Sequence, residues 1–253
     1  MSAIDGWLEG FLQGTNGSLG VVLLISLLLG LRHASDPDHL AAVSTLIASE
    51  EQEGVRKATF MGFSWGLGHG TTLVLVGLPL VLLGQYLPES IQQAAEVAIG
   101  LIIVVLAIRL LVRWRRGVFH AHPHAHASGE THRHLHSHAD GSVHDHSHNT
   151  HALRTPLSAY AVGLVHGVGG SGGLTLLLLS TIPDPVGATG ALLVFAAGTA
   201  VSMAMLSTAF GLAIATGPIR RNFERAAPVL GVLAAAFGAW YAAGALGIVS
   251  YPF

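Results

Sequence analysis

The sequence predicts an all-α, polytopic membrane protein of six transmembrane helices, arranged as two inverted three-helix repeats. Three observations predict it. Of 253 residues, 51% are hydrophobic and 10% charged, where soluble domains carry about 25% charged residues. Six apolar runs reach the roughly 20 residues that a bilayer demands of a helix: 19–48, 58–84, 94–114, 156–182, 187–216 and 228–248. The halves of the chain also share short motifs. Gly30-Leu31-Arg32-His33 resembles Gly163-Leu164-Val165-His166 at an offset of 133, and Phe63-Ser64-Trp65-Gly66 resembles Phe195-Ala196-Ala197-Gly198 at 132. Gly100 and Gly231 stand 131 apart. With three spans in each half, the halves must be inverted, an architecture that many secondary transporters share. One transmembrane domain results, with repeat 1 over about 19–114 and repeat 2 over about 156–248.

The first 18 residues hold Asp5 and Glu9 and no basic residue, so they read as a short flank rather than a signal peptide. Span 1 is polar in its middle: Arg32-His33-Ala34-Ser35-Asp36-Pro37-Asp38-His39. The apolar run before this block, residues 19–31, is only 13 long and the run after it is shorter, so the block lies near mid-membrane between two half-helices. Pro37 lacks an N–H, and its ring clashes with the carbonyl four residues earlier. On an unbroken helix His33 and His39 would be about 120° and 9 Å apart, too far round to share one ion. A break at Pro37 lets both converge with Asp36 or Asp38 and frees the His33 carbonyl. Arg32 is the nearest counter-charge for the aspartates.

Spans 2 and 4 each carry one histidine in a glycine-rich setting: Gly66-Leu67-Gly68-His69-Gly70 and, in residues 163–173, His166-Gly167. Both lie about ten residues into their spans, which at about 1.5 Å per residue is near the depth of the span 1 break. Gly68, Gly70 and Gly167 permit close helix approach or open a cavity. Intramembrane ionisable residues are costly and mark function by default. His33, Asp36, Asp38, His39, His69 and His166 are therefore the candidate metal ligands, with Arg32, Pro37 and the three glycines as structural or gating residues.

The other twelve of the 16 histidines lie between spans 3 and 4, at His120, His122, His124, His126, His132, His134, His136, His138, His144, His146, His148 and His151. Residues 117–155 are polar without apolar periodicity, and read as a disordered loop in the absence of metal. Alternating histidines offer many weak, interchangeable sites suited to buffering transition metals. The interspan segments that hold Arg56 and Lys57, Arg113 to Arg154, and Arg220 to Arg225 are basic, while the opposite flanks hold Asp5, Glu9, Glu89 and Asp184. The positive-inside rule then puts the His-rich loop in the cytoplasm and both termini outside, in the cytoplasmic membrane.

Composition excludes much else. A net charge of −2 gives no surface for nucleic acid. The absence of cysteine removes thiolate sites and argues against Cu(I). Lys57 is the only lysine, so no Walker A motif exists and this chain does not hydrolyse ATP in that manner. Imidazole plus carboxylate suits Ni²⁺, Co²⁺, Zn²⁺ or Mn²⁺. An intramembrane metalloenzyme is the reading from another class. It lacks a His-Glu-x-x-His pattern, and no glutamate stands near the membrane histidines in sequence. A sensor that uses the loop alone is a third.

At His33-Ala-Ser-Asp-Pro-Asp-His39 the chain resembles the nickel/cobalt transporter (NiCoT) family, whose hallmark is a His, four residues, then Asp-His in a membrane helix. Leu67-Gly-His-Gly-Thr71 is similar to the family's second motif. The larger members have eight spans and usually Ala where this chain has Pro37. The family's third motif is not visible, and residues 163–173 in its place look like the shorter six-span permease branch associated with urease. The resemblance implies a secondary permease for Ni²⁺ or Co²⁺ with no resident cofactor, and the lipid bilayer and the cation as its partners. It implies His33, Asp38 and His39 as the primary metal site, with Asp36 and His69 close by and His166 added by position. Uptake driven by the membrane potential is the expected direction, efflux the alternative. A homo-oligomer is compatible with this reading.

Overall fold

The computed structural model describes residues 19–48, 54–83, 85, 87–116, 120–125, 131–136, 155–169, 182–216 and 222–250. Seven helices form its body: α1 (Leu19–His33), α2 (Pro37–Ala48), α3 (Gly54–Leu83), α4 (Glu89–Arg115), α5 (Pro156–His166), α6 (Pro185–Ala215) and α7 (Phe223–Ala245). α3, α4, α6 and α7 are each long and apolar enough to cross a membrane, and α1 with α2 makes a fifth candidate bent by 50° at its break. The helices are apolar on nearly all faces, as lipid-facing spans are. Leu75, Leu83, Leu157 and Val186 are each at least about two-thirds exposed, a cost in water that hydrocarbon removes.

The second half of span 4, including residues 170–181, lies outside the described residues, as do the N-terminal flank and most of the His-rich loop. The described residues thus hold four candidate spans, or five with the bent pair, and α5, at the start of the expected fourth span, is 11 residues long. The long helices begin earlier than their apolar runs: α3 by four residues, α4 by five and α7 by five. Their first turns hold polar residues such as Arg56, Glu89 and Glu224, which helices tolerate at a membrane surface.

Local sequence starts the helices cleanly. Thr155 and Ser158 form a reciprocal capping box at 3.2 Å, and Pro156 follows at the first helical position of α5. Asp184 accepts the Gly187 N–H at 2.7 Å ahead of Pro185. Each cap satisfies N–H groups that a helix end leaves without partners.

Packing is tightest where glycine removes a side chain. α3 packs against α5 and α6, α1 against α6, and α4 against α7. A methyl at Gly68 would overlap the Tyr160 carbonyl, and one at Gly163 the Trp65 carbonyl. One at Gly30 would overlap the Phe195 carbonyl, and one at Gly198 would stand 3.1 Å from that of Leu27. The α3–α5 contact is also stitched by Thr72 Oγ1 donating to the Leu164 carbonyl at 2.8 Å. Gly100 and Gly238 meet in the same way between α4 and α7.

Within the segment read as disordered, β1 (His120–Ala125) pairs antiparallel with β2 (Thr131–His136). The reason is the period-2 alternation of His with other residues, which suits a strand. A lone two-stranded ladder is marginally stable at best in water. His126, His138, His144, His146, His148 and His151 lie outside the described residues.

Candidate metal site

The break in span 1 is built by residues 34–36 rather than by Pro37 alone. The Ser35 N–H turns back to the Arg32 carbonyl at 2.8 Å and the Asp36 N–H to the His33 carbonyl at 3.1 Å. The His33 carbonyl is therefore engaged, not freed. Pro37 instead opens α2, the position where its missing N–H costs nothing, and Leu40 bonds the Asp36 carbonyl at 2.9 Å. The Leu31 carbonyl, which loses Ser35 to this turn, accepts the Ser202 hydroxyl at 2.6 Å.

α1 ends at His33 and α5 ends at His166. Both helix C-termini, where carbonyl dipoles concentrate negative potential, thus stop at the same place. Between them come Asp38 and His39 from the first turn of α2 and His69 from the middle of α3. His39, His69 and His166 are 0% exposed, His33 3% and Asp38 4%. Trp65 and Phe195 wall the cluster, with Trp65 5.5 Å from the rings of both His39 and His166, and Phe195 5.4 Å from that of His33.

The contacts fix how the imidazole protons are arranged. His33 Nδ1 faces Asp36 Oδ2 at 3.1 Å, and His33 Nε2 lies 3.0 Å from His69 Nε2. With the Nδ1 proton donated to Asp36, His33 Nε2 is a lone pair that accepts from His69. Asp38 is shared: Oδ1 takes His39 Nδ1 at 3.0 Å and Oδ2 takes His166 Nε2 at 3.1 Å. His39 Nε2, His69 Nδ1 and His166 Nδ1 then remain buried with no hydrogen-bond partner. Bare imidazole lone pairs facing a closed interior are a costly arrangement for a structural core and a fitting one for a cation. Two imidazole nitrogens 3.0 Å apart match adjacent ligands around an ion that binds each at about 2.1 Å. Carboxylates behind Nδ1, as Asp36 and Asp38 sit, are the usual means of orienting ligating histidines.

Every candidate ligand read from the sequence converges here, although the roles differ. Asp36 is half-buried behind His33, and it belongs to neither donor group, the triads being His33, His39, His69 and Asp38, His39, His166. Arg32 is exposed on α1, and the hydrogen-bond partners of Asp38 are the two imidazoles. Gly167 packs on His69 and Thr72, Gly68 on Tyr160, and Gly70 has ordinary contact with Ala196. Sequence reasoning missed Trp65 and Phe195, although both sit in the repeated motif. It also passed over Glu96, which is buried in α4, accepts Gln92 Nε2 at 3.0 Å, and borders Gly169 one turn beyond His166. Its signal was a carboxylate inside an apolar run.

The comparisons agree with this chemistry. The urease accessory protein UreH of Bacillus sp. (strain TB-90) is 25% identical over 221 residues, covering 87% of this chain and 90% of that protein. The high-affinity nickel transport protein of Cupriavidus necator is 34% identical over 106 residues, or 30% of its length. The cobalt transport protein NhlF of Rhodococcus rhodochrous is 30% identical over 95 residues, or 27% of its length. No solved structure matches the chain significantly. The family described as NicO, high-affinity nickel-transport protein, matches residues 19–217, a stretch that holds the broken helix and all four buried imidazoles. The chain therefore belongs to the NicO family of nickel and cobalt transport proteins, which are transporters and not enzymes.

Proposed function

We propose that this chain is a secondary permease that carries Ni²⁺ or Co²⁺ through the membrane by way of His33, Asp38, His39, His69 and His166, with Asp36 positioning His33. The observation that carries this reading is the set of three buried imidazole nitrogens without partners, enclosed by helices long enough to span a bilayer. Two aspartates offset the double charge of the ion and reduce the cost of holding it at low dielectric. Zn²⁺ fits the same donors, but the names of the relatives speak for nickel and cobalt.

Six spans complete the proposed architecture, with α5 and the residues after it forming the fourth. The inverted repeat is supported by the matching crossings of Gly30 on Phe195 and Gly163 on Trp65. In the cytoplasmic membrane, with both termini outside, the basic loops face the cytoplasm and the His-rich loop buffers metal there. At −100 mV a doubly charged ion moving inward gains about 4.6 kcal/mol, enough for over a thousandfold accumulation. Proteoliposomes with an imposed potential of either sign test the direction. An inside-negative potential should accelerate Ni²⁺ uptake and an inside-positive one suppress it. Uptake indifferent to the sign, or driven only by a proton gradient, contradicts potential-driven import.

A further inference from the structure

The buried donors fall into two groups. His33, His39 and His69 place one ligand atom each within 4.8 Å of one another, and so do Asp38, His39 and His166. His39 belongs to both. Its ring lies 5.2 Å from that of His69 and 4.3 Å from that of His166, whereas those two are 6.3 Å apart. The outer members pair locally, His33 with His69 at 3.0 Å and His166 with Asp38 at 3.1 Å.

Resting on the metal-transport reading above, we propose that the ion occupies these two groups in turn and pivots on His39, which gives one ring nitrogen to each. In the first position the ion is held by three neutral imidazoles, His33, His39 and His69. Asp36 and Asp38 stand behind two of them as hydrogen-bond acceptors. His39 binds there through Nε2, the nitrogen that has no partner. In the second position the ion takes the place of the protons that Asp38 shares with His39 Nδ1 and His166 Nε2, and the carboxylate binds it directly.

The transfer balances without an outside reagent other than water. Bonds from the ion to His33 and His69 break as bonds to Asp38 and His166 form, and His39 exchanges Nε2 for Nδ1. Each imidazole keeps its single proton: His33 retains Nδ1–H toward Asp36, while the protons of His39 Nδ1 and His166 Nε2 move to the other nitrogen of the same ring, crossing through water. Nothing is oxidised, and the charge of the cluster is constant. The two positions are not filled together, because two double charges across one imidazole repel. Two incomplete shells also prevent a trap, since conduction needs sites weak or numerous enough to release the ion.

The test uses Co²⁺ as the probe and X-ray absorption to read its ligands. The parent is the full chain with the twelve loop histidines replaced by glutamine, so that only the intramembrane imidazoles bind. His166→Ala should leave Co²⁺ in a shell of three imidazoles with no protein carboxylate. His69→Ala should leave it in a shell of two imidazoles and a carboxylate. Each should lower the initial transport rate at least about tenfold while binding persists. His166→Gln and His69→Gln repeat the comparison with the bulk retained, should the alanine variants fold poorly. Both variants showing the parent's shell minus one imidazole would establish a single shared site and overturn the two-position proposal. A parent that binds no Co²⁺ would overturn the metal-site reading itself.

Discussion

At the scale of single residues, Asp38 does more than a generic acid would. It holds His39 and His166 at once, across 128 residues of sequence, so it joins the two halves of the chain. Asp38→Asn keeps the shape but brings an N–H₂ against an imidazole N–H and removes the charge. Ni²⁺ transport should fall about 10–100-fold, while Asp36→Asn, which stands behind His33 and outside both donor groups, should cost less than Asp38→Asn, at the low end of that range. Initial rates at matched protein in vesicles measure the ranking; equal losses would mean that both carboxylates bind the ion alike. The residues that meet in the buried cluster were conspicuous in the chain, because ionisable groups inside apolar runs stand out. Their pairing was not. Spacing alone does not distinguish Asp36, which serves His33, from Asp38, which serves His39 and His166, since both lie within three residues of a histidine; only the family hallmark singles out Asp38, and the contact to His166 depends on where α5 docks.

At the scale of elements, the break in span 1 and the α3–α5 crossing position the cluster. The proline was a correct marker of the break and a poor guide to its cause. Hydrogen bonds from Ser35, Asp36 and Ser202 hold the turn, and these involve a partner helix that local sequence does not reveal. Pro37→Ala should therefore retain most of the transport rate. Gly68→Val should not, because its side chain would meet the Tyr160 carbonyl and push α5 from α3. Overpacking of this kind costs about 1–3 kcal/mol and would displace His166, so a lower melting temperature should accompany lost transport. A fully active Gly68→Val protein would show that the crossing does not set the site. The His-rich loop shows the opposite limit. Its alternation suggested many interchangeable sites, and its backbone register sets His120, His122 and His124 opposite His136, His134 and His132. Replacing any one should change little. Deleting 120–151 should shift the metal concentration for half-maximal transport yet leave flux detectable, and complete loss in a correctly inserted deletion would reject a buffering role.

At the scale of the whole molecule, length and apolarity of the runs gave the class of fold, because a bilayer imposes one helical length on every span. The helix ends were displaced outward where polar residues at the surface extend a helix beyond its apolar run, as at Arg56 and Glu224. Burying four imidazoles and a carboxylate in an apolar bundle is worthwhile only if a cation uses them, since an orphaned polar atom in such surroundings is destabilising. That claim is tested most directly by Ni²⁺ uptake into inside-negative proteoliposomes containing the full chain or its His39→Ala variant, with insertion checked by protease accessibility. The buried cluster as transport site predicts potential-driven accumulation by the full chain and background flux by the variant. Accumulation by a correctly inserted His39→Ala protein at the rate of the unaltered chain would contradict it and place the route of the ion elsewhere.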